Sequence, residues 1–249
     1  TGELEERIQD FHRYVVAMLI GPVIDVVLGI EPVRRKEALA DTEAEPGHEG
    51  EQPAALRLVD SLHATYGTFI DALVFDALYA NGPVMTKLAE YNYGGFIVLK
   101  KNNNEPLKEA LALWGDQPPC RQVDDSEAKE QIDFWDVDDL ETLETYKGKV
   151  RVIRANVTAK DGTQKTWCFG VVGNRARKVG LRTALKIVRA RWHIEDTCFN
   201  QWVQFWNLGH VYRHTANAIL AILLLWSLVF NLLQFFIYRR LKRPRTPKD

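Results

Sequence analysis

Two apolar, β-branched runs lie near the start of the chain, 11–20 (FHRYVVAMLI) and 23–30 (VIDVVLGI), separated by Gly21-Pro22. Such side chains pack well on a pleated surface and the Gly-Pro pair supplies a turn, so the pattern predicts an antiparallel hairpin. An acidic, Gly/Pro-containing loop covers 37–51, and a helix is expected from Pro53 through Leu56, Val59, Leu62 and Tyr66, stopped by Gly67. The continuously apolar run 70–75 reads as a strand buried on both faces, with Asp76 at its carboxyl end. Asn81-Gly82-Pro83 opens a helix through Glu90, FIVL at 96–99 is a second buried strand, and a further helix spans about 105–114. The texture then changes. Residues 115–173 read as an acidic linker followed by two strands, 150–158 and 166–172, joined at Asp161-Gly162. Helical periodicity returns from Leu181 through Trp206, Gly209 breaks it, and an apolar helix covers about 216–238 before the basic tail RRLKRPRTPK.

This order predicts an α/β domain in pieces: 1–114 as its first part, 115–173 as a β-rich insertion, 174–238 as its second part, and 239–249 as the tail. The chain of 249 residues, 46% hydrophobic and 26% charged, is long enough to bury a core without staples. Cys120, Cys168 and Cys198 are odd in number and far apart, which fits reduced thiols in a cytosolic protein. A net charge of −1 conceals segregation, because 116–144 is strongly acidic while two other stretches are strongly basic. The opening run TGELEERIQD has no positively charged, then apolar, leader pattern and no initial Met, as in a fragment or a trimmed chain.

Chemistry concentrates at a few positions. Asp76 stands where ligands collect in α/β sheets, beyond a strand's carboxyl end, and either binds a cation or caps a turn. Projecting 187–205 at about 100° per residue puts Arg191 and Glu195 on one apolar stripe with Ile187, Ile194, Cys198, Trp202 and Phe205. A carboxylate there needs either Arg191 or a metal as partner. Between Asn174 and Arg191, the residues Arg175, Arg177, Lys178, Arg182, Lys186 and Arg189 have no acidic neighbour, a density suited to gripping phosphates, and Lys100 adds to it. His210 and His214 are spaced like a metal pair but lack a third ligand, so a packing role is expected. The apolar helix at 218–238 is long enough to span a bilayer, yet Ser227, Asn231 and Gln234 interrupt it, and the expectation is a core helix without a membrane.

The segment RWHIEDTCFN (191–200), with VFDALYANGPV, FIVLKK and the closing FWNLGHVYRHTANAILAILLLWSLVFNLL, resembles the DDE transposases of bacterial insertion sequences, in the group marked by Tyr-x-x-Arg-x-x-x-Glu-x-x-x-x-x-x-Lys. The resemblance covers essentially the whole chain. It implies an RNase H-like fold that starts at the second strand, with the first catalytic Asp upstream of the chain; Asp10 and Asp25 lie on the wrong strands to replace it. Val188 and Trp202 stand where the signature has Tyr and Lys. By the same resemblance, Asp76 and Glu195 are catalytic and metal ligands for two Mg²⁺ or Mn²⁺ ions. Arg191, Lys178, Arg182, Lys186, Arg175 and Lys100 contact double-stranded DNA, at element ends and target. The implied activity is metal-dependent DNA strand cleavage and transfer in a bacterial, nucleoid-associated protein, with a homodimer admitted. The alternative is a non-catalytic DNA-binding remnant or inhibitor of a full-length enzyme.

Overall fold

The computed structural model describes residues 13–22, 24–34, 49–100, 104–141, 143–208, 210 and 215–240. The protein is a mixed α/β chain that divides into two units, residues 63–196 and residues 1–62 with 197–249.

The unit of 63–196 is built on a six-stranded sheet in the order β3-β4-β8-β7-β6-β5. Its strands are β3 (Ala72–Phe75), β4 (Gly94–Val98), β5 (Arg121–Asp125), β6 (Glu130–Leu140), β7 (Val150–Ala159) and β8 (Gln164–Val172). β3 and β4 are parallel, with Phe75 opposite Ile97, and every other pairing is antiparallel. The stretch 115–173 therefore continues the sheet that β3 and β4 begin, through the pairing of β4 with β8. Helix α2 (Gly82–Glu90) starts at Asn81, whose side chain accepts the Val84 N–H, and Pro83 needs no amide partner in the first turn. Helix α3 (Glu105–Trp114) lies against β6, β7 and β8.

Helix α4 (Leu181–Ala190) buries Leu181, Ala184, Leu185 and Val188 in a cluster with Phe96, Phe134, Ile153, Phe169 and Val171. That i, i+3, i+4, i+7 spacing leaves Arg182 and Lys186 on the exposed face. The continuous helix expected from Leu181 to Trp206 is interrupted: α4 ends at Ala190, a π-helical segment covers Ile194–Phe199, and α5 is short (Asn200–Gln204).

The other unit holds the expected hairpin, β1 (Tyr14–Ile20) and β2 (Asp25–Pro32), in a sheet of its own. Helix α1 (Glu51–Tyr66) belongs to it as far as Leu62 and places Leu58 against Gly29. Helix α6 (Ala216–Arg240) packs on β2, where Asn231 accepts the Val27 N–H and donates to the Val27 carbonyl, both at 2.8 Å. Among the described residues α6 is the one helix long and apolar enough to cross a membrane, by length and composition. It differs from the fully covered core helix expected of it. Its inward face carries the polar Ser227 and Asn231, whereas Leu224, Leu225, Leu228, Val229 and Phe236 are at least half exposed.

Candidate functional site

Asp76 follows β3 directly and accepts the N–H of Ala77, capping the 3₁₀ turn Ala77–Tyr79. Its cap role is thus real but local, since α2 has its own cap in Asn81. The second oxygen of Asp76 faces Arg191, whose Nη1 lies 3.7 Å from it. The same Nη1 donates to Glu195 Oε1 at 3.0 Å. Two carboxylates from distant parts of the sequence therefore meet at one guanidinium nitrogen. Arg191 is 15% exposed at its side chain, against 43% for Asp76 and 41% for Glu195, so the cation is covered while both acids are open to water.

The local backbone explains the meeting. The amides of Arg191 and Trp192 donate to Val188 and Arg189, three residues back, and tighten the end of α4. The chain then widens into the π-helical segment that begins at Ile194, and Glu195 sits in its first turn. Single π turns of this kind recur at functional sites.

Two Mg²⁺ ions held by three carboxylates need more than this arrangement offers. Among the described residues no three His, Cys, Asp or Glu side chains lie together as a metal-holding group. The cation already between Asp76 and Glu195 is a guanidinium, so the residues as placed do not fit a metal pair. Asp10 lies outside the described residues. Asp25 opens β2 in the other unit, where it is buried and accepts the Gly21 N–H.

The basic residues divide into paired and free groups. Arg182 meets Asp125 at 2.7 Å, Arg189 meets Glu130 at 2.8 Å, and Arg177 bonds both Asp138 and Asp139. Three of the arginines after β8 are thus neutralised by the acidic stretch that looked segregated from them. Arg175, Lys178, Lys186 and Lys100 are exposed and make no ion pair among the described residues. Lys100 follows β4 as Asp76 follows its parallel neighbour β3, which puts both at the same end of the sheet. Arg151 fixes the loop carrying Lys178: its guanidinium clamps Asp136 at 2.7 and 2.8 Å and donates to the carbonyls of Arg177 and Val179.

The sequence did not single out Lys165 or Trp167. Lys165 lies 4.6 Å from the Trp167 ring centre and 5.6 Å from that of Trp192, while Arg189 covers Trp167 at 5.8 Å and Arg191 covers Trp192 at 4.7 Å. The result is a row of alternating cations and indoles ending at Arg191. Lys165 and Trp167 share the face of β8 that carries Phe169 and Val171 into the core, and that period-two spacing was the available signal. Val188 is fully buried on the inner face of α4, and Trp202 is buried beside Phe230, so neither side chain is placed to touch a ligand. Of the two histidines expected to pack, His210 is exposed and His214 lies outside the described residues. The chain matches no protein-family model, and no curated protein matches it.

Proposed function

We propose that this chain is part of the RNase H-like catalytic core of a DNA transposase, handling duplex DNA with Asp76 and Glu195 as two of its catalytic carboxylates. The observation that carries the reading is the convergence of these two acids on Arg191, one from the end of a parallel strand and one from the helical segment after the sheet. Buried apolar packing alone gives no reason for two half-exposed carboxylates to share a covered cation. On this reading Arg175, Lys178, Lys186 and Lys100 neutralise backbone phosphates, and the loop of Lys178 is held rigid by Arg151. Arg191 binds a non-bridging phosphate oxygen as DNA arrives. No step is assigned to divalent metal, which the placed residues do not hold.

A second reading is favoured by the same arginine. With its guanidinium between the acids, the chain binds DNA without cutting it, as an inhibitor of an active transposase. Nicking of supercoiled DNA in Mn²⁺ separates the two, using the chain, Asp76→Asn and Glu195→Gln. Nicking by the chain that both variants lose supports the catalytic reading. DNA binding without nicking supports the second, and absence of both binding and nicking rejects the pair.

A further inference from the structure

We infer that the cleft between the start of β5 and the loop before α4 is a binding site for a phosphoryl group, with Arg121 and Lys178 as its two open cations. The cleft stands apart from Asp76 and Glu195. Its loop follows β8 at the amino ends of β3 and β4, because Val172 pairs with Gly95, whereas Asp76 follows the carboxyl end of β3. Helix α4, ten residues or about 15 Å long, separates the cleft from Arg191.

The cleft has a volume of about 460 Å³, room for a phosphoryl group and its substituent. Four cations line it, Arg121, Arg151, Arg177 and Lys178, against two carboxylates, Asp136 and Asp138, which leaves an excess of two positive charges. Both acids are already taken, Asp136 by Arg151 and Asp138 by Arg177. Asp139, which is not in the lining, is shared by Arg177 and Lys149. Arg121 and Lys178 are exposed and make no ion pair among the described residues. The excess charge matches a phosphoryl dianion, and an arginine fork beside a lysine point charge is a donor set suited to its oxygens. Apolar lining is limited to Val179 and Leu181, which offers little to an uncharged ligand. The loop is also fixed in advance: buried Arg151 donates to the carbonyls on either side of Lys178, those of Arg177 and Val179, at 2.8 and 2.7 Å. Such preorganisation lowers the cost of binding.

Isothermal calorimetry with inorganic pyrophosphate in metal-free buffer tests this, and the chain should bind it saturably. Arg121→Gln and Lys178→Gln should each weaken binding about tenfold, the loss of one charge-assisted hydrogen bond. Gly180→Asp should abolish it by adding a carboxylate to the lining. The fold should tolerate that change, since φ there is −64°, an added Cβ meets nothing within 4 Å, and Asp starts helices well. Lys160→Gln, which removes an exposed charge outside the cleft, should change affinity by less than about twofold. No saturable binding, a Lys160→Gln loss equal to that of Lys178→Gln, or full affinity in Gly180→Asp overturns the inference. A short duplex added to the pyrophosphate-loaded chain identifies the source of the phosphoryl group. Displacement assigns the site to a DNA backbone phosphate, and pyrophosphate that stays bound assigns it to a free oligophosphate. Duplex binding without pyrophosphate binding sinks this site alone, and pyrophosphate binding without duplex binding sinks the DNA reading alone.

Discussion

Arg151 makes four hydrogen bonds from a nearly buried position, two to Asp136 and two to backbone carbonyls. Replacing it with Met strands the Asp136 carboxylate and two acceptors, and removal of one partner of a buried pair costs about 3 to 5 kcal/mol. Urea denaturation of Arg151→Met should show a loss of that order. Asp125 gives a pH dependence. The Ala128 backbone N–H, aided by the Arg182 guanidinium against the opposing effect of burial, holds its pKa below the ordinary 3.8. A lowered carboxylate contributes stability that is present above pH 3.8 and disappears as pH falls through its lower folded value. Stability measured from pH 5 down to pH 2 should therefore fall, and Asp125→Asn should flatten part of the fall. At this scale Asp76, Arg191 and Glu195 were legible in the sequence, because charges at a strand end or inside an apolar stripe demand partners. Which partner each acid takes was not legible, since Arg191 lies four residues from Glu195 but reaches Asp76 only through the fold. Val188 and Trp202, which stand where the signature has Tyr and Lys, are core side chains.

Among the elements, the hairpin, β3, β4, β7, β8, α2 and α3 were readable from apolar spacing and turn residues. β5 and β6 were not, because acidic residues dominate 121–140 and mask an inward pair, Ile132 and Phe134, that alternates with Asp133. The interruption after α4 also escaped, since no Gly or Pro between 191 and 199 marks it and the shift of a π turn is not visible in residue spacing alone. Gly173 marks the turn from β8 into the loop of Lys178, with φ +91°, and an added Cβ there falls 2.9 Å from the Tyr93 carbonyl oxygen. Gly173→Ala should destabilise the protein by about 1 to 2 kcal/mol or more, read from the urea midpoint. Helix α6 carries a prediction of a different kind. Its outward Leu228 and Leu232 are 55% and 59% exposed within an apolar face, which favours association. Leu228→Glu with Leu232→Glu should reduce self-association in light scattering while far-ultraviolet dichroism keeps the helical signal. An unchanged scattering mass would mean that this face is not what associates.

Across the whole molecule, the sequence shows acidic and basic blocks that look like separate faces, but folding brings much of one onto the other. Asp125, Glu130, Asp138 and Asp139 neutralise Arg182, Arg189 and Arg177 inside the unit of 63–196. What remains for a polyanion is a smaller set, Arg175, Lys178, Lys186 and Lys100, together with the cation and indole row that ends at Arg191. Antiparallel pairing of β5 with β6 and of β6 with β7 sets that outcome, and no local pattern in the sequence announces it. Both readings of function depend on the remaining set gripping DNA. The direct measurement is duplex affinity across a salt series, for the chain and for a variant carrying Arg175→Gln, Lys178→Gln and Lys186→Gln. Binding is expected at low salt, with a slope of log affinity against log salt that becomes shallower in the variant by roughly 0.9 for each phosphate no longer neutralised. Absence of duplex binding at low salt, or the same slope in both proteins, contradicts that expectation.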